Sequence, residues 1–236
     1  MKTMLVLSMG ALLLAGTLSA QTPVPEWQAG VDKMKSLIQT NPAQASEEVG
    51  ELLKGKNKKN VDLVTSVAHV YLDAGKLTEA QEYLAMAKKA NNKDPKVSVL
   101  EGDIALAQKN IGQACQLYEQ AIYFDPNCKE AYLKYAQAYK SASPALAIEK
   151  LEQLKAVDPN CLEADRELAE VYYSSNRFGK AAEMYAKFID TPLATEDDML
   201  KYAFALFLNH DFEKSLQVAQ KGLQKNARHA AFNRLV

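Results

Sequence analysis

The sequence predicts an all-α chain, a solenoid of about six stacked antiparallel helix hairpins. Three observations predict it. The tetrapeptide Asp125-Pro126-Asn127-Cys128 recurs 33 residues later as Asp158-Pro159-Asn160-Cys161. A row of small residues, Ala80, Ala114, Ala147, Ala181 and Ser215, runs at spacings of 34, 33, 34 and 34. Two further rows keep phase with it: Ala68, Gly102, Ala136, Ala169 and Ala203, and, three residues on, Tyr71, Ala105, Tyr139, Tyr172 and Leu206. A fixed period of this length is the mark of stacked supersecondary units, each burying a face that it cannot bury alone.

Composition sets the bounds. Of 236 residues, 48% are apolar and 24% charged, which excludes wholesale disorder. Twenty-eight Lys and Arg stand against 29 Asp and Glu, a balance that argues against phosphate neutralisation as the basis of binding, so no nucleic-acid partner is expected. Ten Gly and eight Pro are few for a chain of tight β-turns.

Residues 1–20 read as a secretory signal peptide: Lys2, an apolar run from Met4 to Leu18, then the small residues Ser19 and Ala20 before Gln21-Thr22-Pro23. Cleavage after Ala20 places Leu18 three residues before the cut; cleavage after Ser19 places Thr17 there. The first cysteine is Cys115, far from a lipid-modified junction. The mature chain has no second long apolar run and is expected to be exported, periplasmic or secreted, without a membrane span. Residues 21–26 form a short linker.

The array follows at 27–229, with units at about 27–60, 61–94, 95–128, 129–161, 162–195 and 196–229. The first unit is the loosest, with Trp27, Met34 and Leu37 in one helix, then Asn41-Pro42 and a second helix carrying Val49, Leu52 and Leu53. The fourth is the clearest. Tyr132, Tyr135, Ala136 and Tyr139 share one helical face, Ser143-Pro144 opens the second helix, and Ala147, Leu151 and Leu154 give its buried stripe. Gly75, Asn110, Asn176 and Asn209-His210-Asp211 mark turns that end in the left-handed conformation. Leu77, Ile111, Phe178 and Phe212 follow them and are placed to staple each hairpin. Small residues from both helices fix the crossing where the backbones approach most closely. Glu101 stands at an apolar position and predicts a local irregularity in the third unit. Residues 230–236 resemble the opening of a further first helix, and Phe232, Leu235 and Val236 at its end suggest a fragment of a longer array rather than a polar cap.

The small–aromatic–small–proline rhythm of Ala114, Tyr118, Ala121 and Pro126, followed less strictly by Ala181, Tyr185 and Phe188, resembles the tetratricopeptide repeat family. The family's frequent Trp early in the first helix is missing; Val64, Ser98, Tyr132, Asp165 and Met199 hold that row. The resemblance implies a right-handed α-solenoid in a bacterial envelope protein, working as a non-enzymatic interaction scaffold that binds a polypeptide in its concave groove. The alternative is a sensor or regulatory part of a longer multidomain protein.

No catalytic, metal or cofactor constellation stands out. His69, His210 and His229 are scattered, without partners at ligand spacing, and read as turn or solvent-facing residues. Cys128 and Cys161 occupy equivalent places in adjacent units, about 9 Å apart by helix packing, too far for a disulfide. Three free thiols are expected. Glu196-Asp197-Asp198 reads as a helix start, with Thr195 and Asp198 as a capping pair. The basic run Lys54 to Lys59 reads as a solvated inter-unit loop.

The resemblance also says which face of each first helix looks inward. Those rows are Thr65, Val99, Leu133, Arg166 and Leu200; His69, Asp103, Gln137, Glu170 and Phe204; and Leu72, Leu106, Lys140, Tyr173 and Phe207. The expected groove therefore has an apolar stretch at Val99, Leu106 and Leu133. Beyond it lie a mixed-charge middle at Lys140, Arg166 and Glu170 and an aromatic end at Tyr173, Leu200, Phe204 and Phe207, with Asp103 and Gln137 completing the expected groove. Thr65 with His69 and Val99 with Asp103 replace the Lys, Asn and Arg that the family uses to clamp a C-terminal carboxylate.

Overall fold

A computed structural model describes residues 24–236. The signal-peptide reading of residues 1–20 lies outside the described residues, as does the start of the linker. The described residues form thirteen α-helices and no strand. Six hairpins pair α1 (Gln28–Leu37) with α2 (Pro42–Leu52), α3 (Val61–Asp73) with α4 (Leu77–Asn91), and α5 (Pro95–Ala107) with α6 (Ile111–Phe124). They continue with α7 (Lys129–Tyr139) and α8 (Pro144–Val157), α9 (Leu162–Ser174) and α10 (Phe178–Phe188), and α11 (Glu196–Leu208) and α12 (Phe212–Lys225). The single turn α13 (Ala230–Asn233) packs on α12.

Small side chains mark the crossings. Ala80, Ala114, Ala147 and Ala181 are fully buried, and so are Ala68, Ala169 and Ala203. Ser215, the one polar member of its row, donates its hydroxyl to the carbonyl of Ala203 at 2.9 Å, a direct link between the two rows. Gly102 is the tightest point: a Cβ there would lie 2.5 Å from the Tyr118 ring. The interior is elongated. Three adjoining buried clusters run along the chain, from α1 to α5, from α5 to α7 and from α7 to α13, rather than around one centre. Side chains such as Leu100, Leu151 and Leu154 are almost wholly enclosed; truncating any one to Ala costs about 2–5 kcal/mol.

Helix starts follow their sequence signals, with two corrections. Asn41 and Asn60 accept backbone N–H bonds at the starts of α2 and α3, and Asp94 and Asp211 do so at α5 and α12. Thr195 and Asp198 form a reciprocal capping box. Ser143 sits at the cap position of α8 with Pro144 behind it, yet its side chain makes no capping bond. In the third unit the left-handed residue is Lys109, at φ 63°, and Asn110 instead caps α6 by accepting the Gln113 N–H. Gly75, Asn176 and His210 are left-handed as expected, at φ 74°, 59° and 65°. The fourth unit explains the one 33-residue spacing in the Ala80 row. Ala136 and Ala147 stand 11 positions apart where the units on either side have 12. The reason is that α7 ends two residues sooner after its small residue, while the turn 140–143 is only one residue longer than those at 74–76, 108–110, 175–177 and 209–211. No left-handed residue occurs in that turn.

The repeated tetrapeptide is a connector. Asp125 accepts the Asn127 N–H and Asp158 the Asn160 N–H, while Cys128 and Cys161 take the cap positions of α7 and α9. All three thiols are free, and burial raises each thiol pKa, that of Cys115 to about 11. Glu101 causes no irregularity: α5 is continuous, and the carboxylate meets Lys88 at 2.6 Å. Asp165, in the row where the family often has Trp, is 2% exposed and is neutralised by Lys155 at 2.8 Å and Lys187 at 3.2 Å. The first unit is loosest: a 3-10 turn (Gly55–Lys59) follows α2, which lacks the close contact with the next first helix that α4, α6, α8 and α10 all make. Phe232 of α13 is completely buried, its ring filling the space above Gly222.

Candidate interaction groove

Successive first helices touch one another, α1 to α3, α3 to α5, α5 to α7 and α7 to α9, whereas the second helices are not in comparable contact. An array whose first helices crowd while its second helices splay curves with the first helices inside. The predicted rows therefore line the inner face, but they differ in what they expose. Val99 is 1% exposed and belongs to the core, and Asp103 is buried at 8%. Leu106, Leu133, Lys140, Arg166, Glu170, Tyr173, Leu200 and Phe204 are half-buried, Gln137 is exposed, and Phe207 is 44% exposed.

Asp103, Gln137, Arg166 and Glu170 are bonded within the fold. Asp103 accepts the Tyr118 hydroxyl at 2.7 Å, the Lys134 ammonium at 3.0 Å and the His69 ring at 3.1 Å, joining α3, α5, α6 and α7. Sixty-seven residues on, Glu170 accepts the Tyr185 hydroxyl at 2.7 Å and Lys201 at 2.9 and 3.0 Å. Between them Gln137 donates to Glu167 at 2.9 Å, and Arg166 makes a two-pronged pair with the buried Asp198, both contacts at 3.0 Å. These polar groups brace neighbouring units.

His69 is not the solvent-facing residue that its sequence position suggested. Its Nδ1 lies 2.9 Å from the Thr65 carbonyl and its Nε2 3.1 Å from Asp103. Neutral imidazole donates from one nitrogen only, so two acceptors favour imidazolium. Burial works against that charge, but the hydrogen bond and charge of Asp103 outweigh it and the His69 pKa is raised. Burial also opposes the Asp103 charge, yet His69, Lys134 and Tyr118 hold its carboxyl below the usual range. Burial and then the adjoining acid push the hydroxyls of Tyr118 and Tyr185 upward.

Sequence reading missed Tyr118, Lys134, Tyr185 and Lys201 as partners of these acids. The signal was available: both acids have Tyr 15 residues later and Lys 31 residues later.

The aromatic end keeps free surface. Tyr173 meets Phe178 edge-on at 5.7 Å and Phe207 meets Phe212 edge-on at 5.3 Å, so the predicted staples form, yet Phe212 remains 54% exposed. Among the described residues, no group of three His, Cys, Asp or Glu is placed to hold a metal ion, and no helix is long and apolar enough to cross a membrane.

Stacked helix pairs with an inner face of first helices define a helical-repeat protein. The tetratricopeptide repeat pattern matches residues 67–129 and 137–194, just over half of the chain, and the chain belongs to that family. No curated protein sequence matches. Among solved structures, PilW, titled a widely conserved type IV pilus biogenesis factor, is similar over 88% of this chain and 97% of its own, at 17% identity and a TM-score of 0.66. PilF of Pseudomonas aeruginosa is similar over 88% and 95%, at 16% identity and a TM-score of 0.63. YrrB, titled a tetratricopeptide repeat protein with an unusual peptide-binding site, is similar over 78% and 95%, at 14% identity and a TM-score of 0.56. At these identities the likeness is one of fold.

Proposed function

We propose that this protein is a non-enzymatic scaffold of the bacterial cell envelope that holds a polypeptide segment along its inner face. The exposed aromatic end carries the reading. Tyr173, Leu200, Phe204 and Phe207 present apolar surface on the inner side of the last two units, where Arg166 is paired with Asp198 and Lys201 with Glu170. Apolar surface with a polar surround suits an extended or helical guest. Leu106, Leu133 and Lys140 extend that surface toward the third unit. Export rests on Lys2, the apolar run and Ser19-Ala20. The pilus-biogenesis title of PilW and the peptide-binding title of YrrB are consistent with such a role.

The test is affinity capture from envelope extract with the wild type and with Tyr173→Ala plus Phe207→Ala. A specific partner lost by the variant, with helicity unchanged, supports the groove; an unchanged partner set refutes it. N-terminal sequencing of the periplasmic fraction checks export, with a start at Ala20 or Gln21 expected.

A further inference from the structure

The turns inside the hairpins form one edge of the inner face, and their charges are unevenly settled. In the second unit Lys76 lies 3.8 Å from Glu79, and in the sixth Lys214 lies 2.9 Å from Asp211. The three units between them carry Lys109, Lys140, Arg177 and Lys180 at this edge, and none of these cations has an ion-pair partner among the described residues. The first turns of α6, α8 and α10 contain no acid either.

Apolar side chains interleave with these cations. Ile111 and Leu146 are each 38% exposed, and Phe207, Leu208 and Phe212 continue the edge in the sixth unit at 44, 45 and 54%. Arg177 and Lys180 both lie 5.4 Å from the Tyr172 ring. Turns of stacked hairpins stand about 9 Å apart, so the edge from the third to the sixth unit spans roughly 27 Å, the reach of about eight extended residues.

We propose that this edge docks an acidic polypeptide segment in extended form, its Asp or Glu residues alternating with aromatic or aliphatic ones. The assignment rests on the groove reading above and names the chemistry of its guest. Cations alone would suit any polyanion, but the interleaved Ile111, Leu146 and Phe207 would gain nothing from a bare phosphate chain. A formal chain charge of -1 likewise gives no general attraction to nucleic acid. Unpaired edge charges act mainly on encounter rate and partner choice, with strong salt dependence.

The experiment is fluorescence anisotropy on the purified protein with a labelled twelve-residue peptide alternating Glu with Phe and Leu. The same peptide with Lys for Glu and a polyphosphate of matching charge serve as competitors. About tenfold tighter binding of the acidic peptide than of the lysine peptide is expected, weakening as salt rises. Lys109→Glu with Lys140→Glu should abolish or reverse that preference. Adding Arg177→Glu should deepen the effect, the double variant serving as control because Arg177 also stacks on Tyr172. Equal affinity for the two peptides, no binding of either, or displacement by polyphosphate as effective as by unlabelled peptide would each overturn the proposal. If Tyr173→Ala plus Phe207→Ala still loses the envelope partner in that case, the groove reading stands and only the charge assignment falls. Retained acidic preference with an unchanged partner set would instead strike the groove reading and leave the charged edge.

Discussion

Asp103 and Glu170 occupy equivalent places two units apart, and each binds a tyrosine from its own hairpin and a lysine from the next first helix. What differs is the preceding unit. Asp103 also receives His69, whereas the residue at the matching place before Glu170 is Gln137, which turns to Glu167. The Asp103 side chain is 8% exposed and that of Glu170 20%. The repeat backbone thus fixes where an acid bridges units, while one neighbouring side chain decides whether that bridge includes a histidine whose pKa is raised.

The largest effect that tests this contrast is removal of the acids. Asp103→Ala strands Lys134, His69 and the Tyr118 hydroxyl around a closed site and should cost about 3 kcal/mol. Glu170→Ala leaves Lys201 with Asp197 at 2.7 Å and solvent within reach, and should cost about 1–2 kcal/mol. Urea unfolding of the two variants measures the gap, and equal costs would contradict the burial argument.

Next in size is the small residue above each tyrosine. Gly102→Ala drives a methyl into the Tyr118 ring and should cost about 2 kcal/mol, weakening the Asp103 bridge with it. Ala169 already holds the corresponding place over Tyr185, so Ala169→Gly should cost only about 1 kcal/mol, through helix propensity. Comparable losses, read from the same unfolding curves, would mean that the two tyrosines are packed alike.

Spacing reveals hairpins because backbone crossings demand small residues at fixed intervals, and Ala80 to Ser215 carried that demand openly. It did not reveal which inward residues stay free. Val99 and Leu133 belong to one row, yet Val99 is enclosed and Leu133 is half-exposed, a difference set by how each unit leans on the next. Asp103 read as a groove residue because its neutralising partners lie 34, 15 and 31 positions away on three other helices. His69 read as solvent-facing for the same reason. Lys109 took the left-handed place expected of Asn110 because Asn110 is a better helix cap.

His69 gives a smaller, pH-dependent effect. Its folded-state pKa is raised, so its contribution is complete below the unfolded value near 6.5 and fades as pH rises through the folded value. Asp103 is lowered, so its contribution is present above about pH 4 and is lost as pH falls through the folded value. The first bridge should therefore be strongest between about pH 4 and 6.5, losing no more than about 1 kcal/mol by pH 8 because His69 is partly exposed. His69→Gln should flatten the decline between pH 6 and 8, as followed by thermal unfolding, whereas Gln137→Ala should leave it intact. A decline that survives His69→Gln would place its source elsewhere.

The smallest effect belongs to the middle of the array. Gln137 and Glu167 replace the buried acid and its lysine with an exposed amide and a carboxylate, and Leu151 stands where the flanking units have tyrosine. With water competing for the exposed Gln137 amide, a double-mutant cycle of Gln137→Ala and Glu167→Ala should give a coupling of no more than about 0.5 kcal/mol. The corresponding cycle for Asp103 and Lys134 should exceed it by 1 kcal/mol or more, because desolvation leaves the charged pair no comparable alternative. Equal couplings would show that the bridge draws its strength from unit stacking rather than from enclosure of the acid, and the contrast between the two nodes would then reduce to His69 alone.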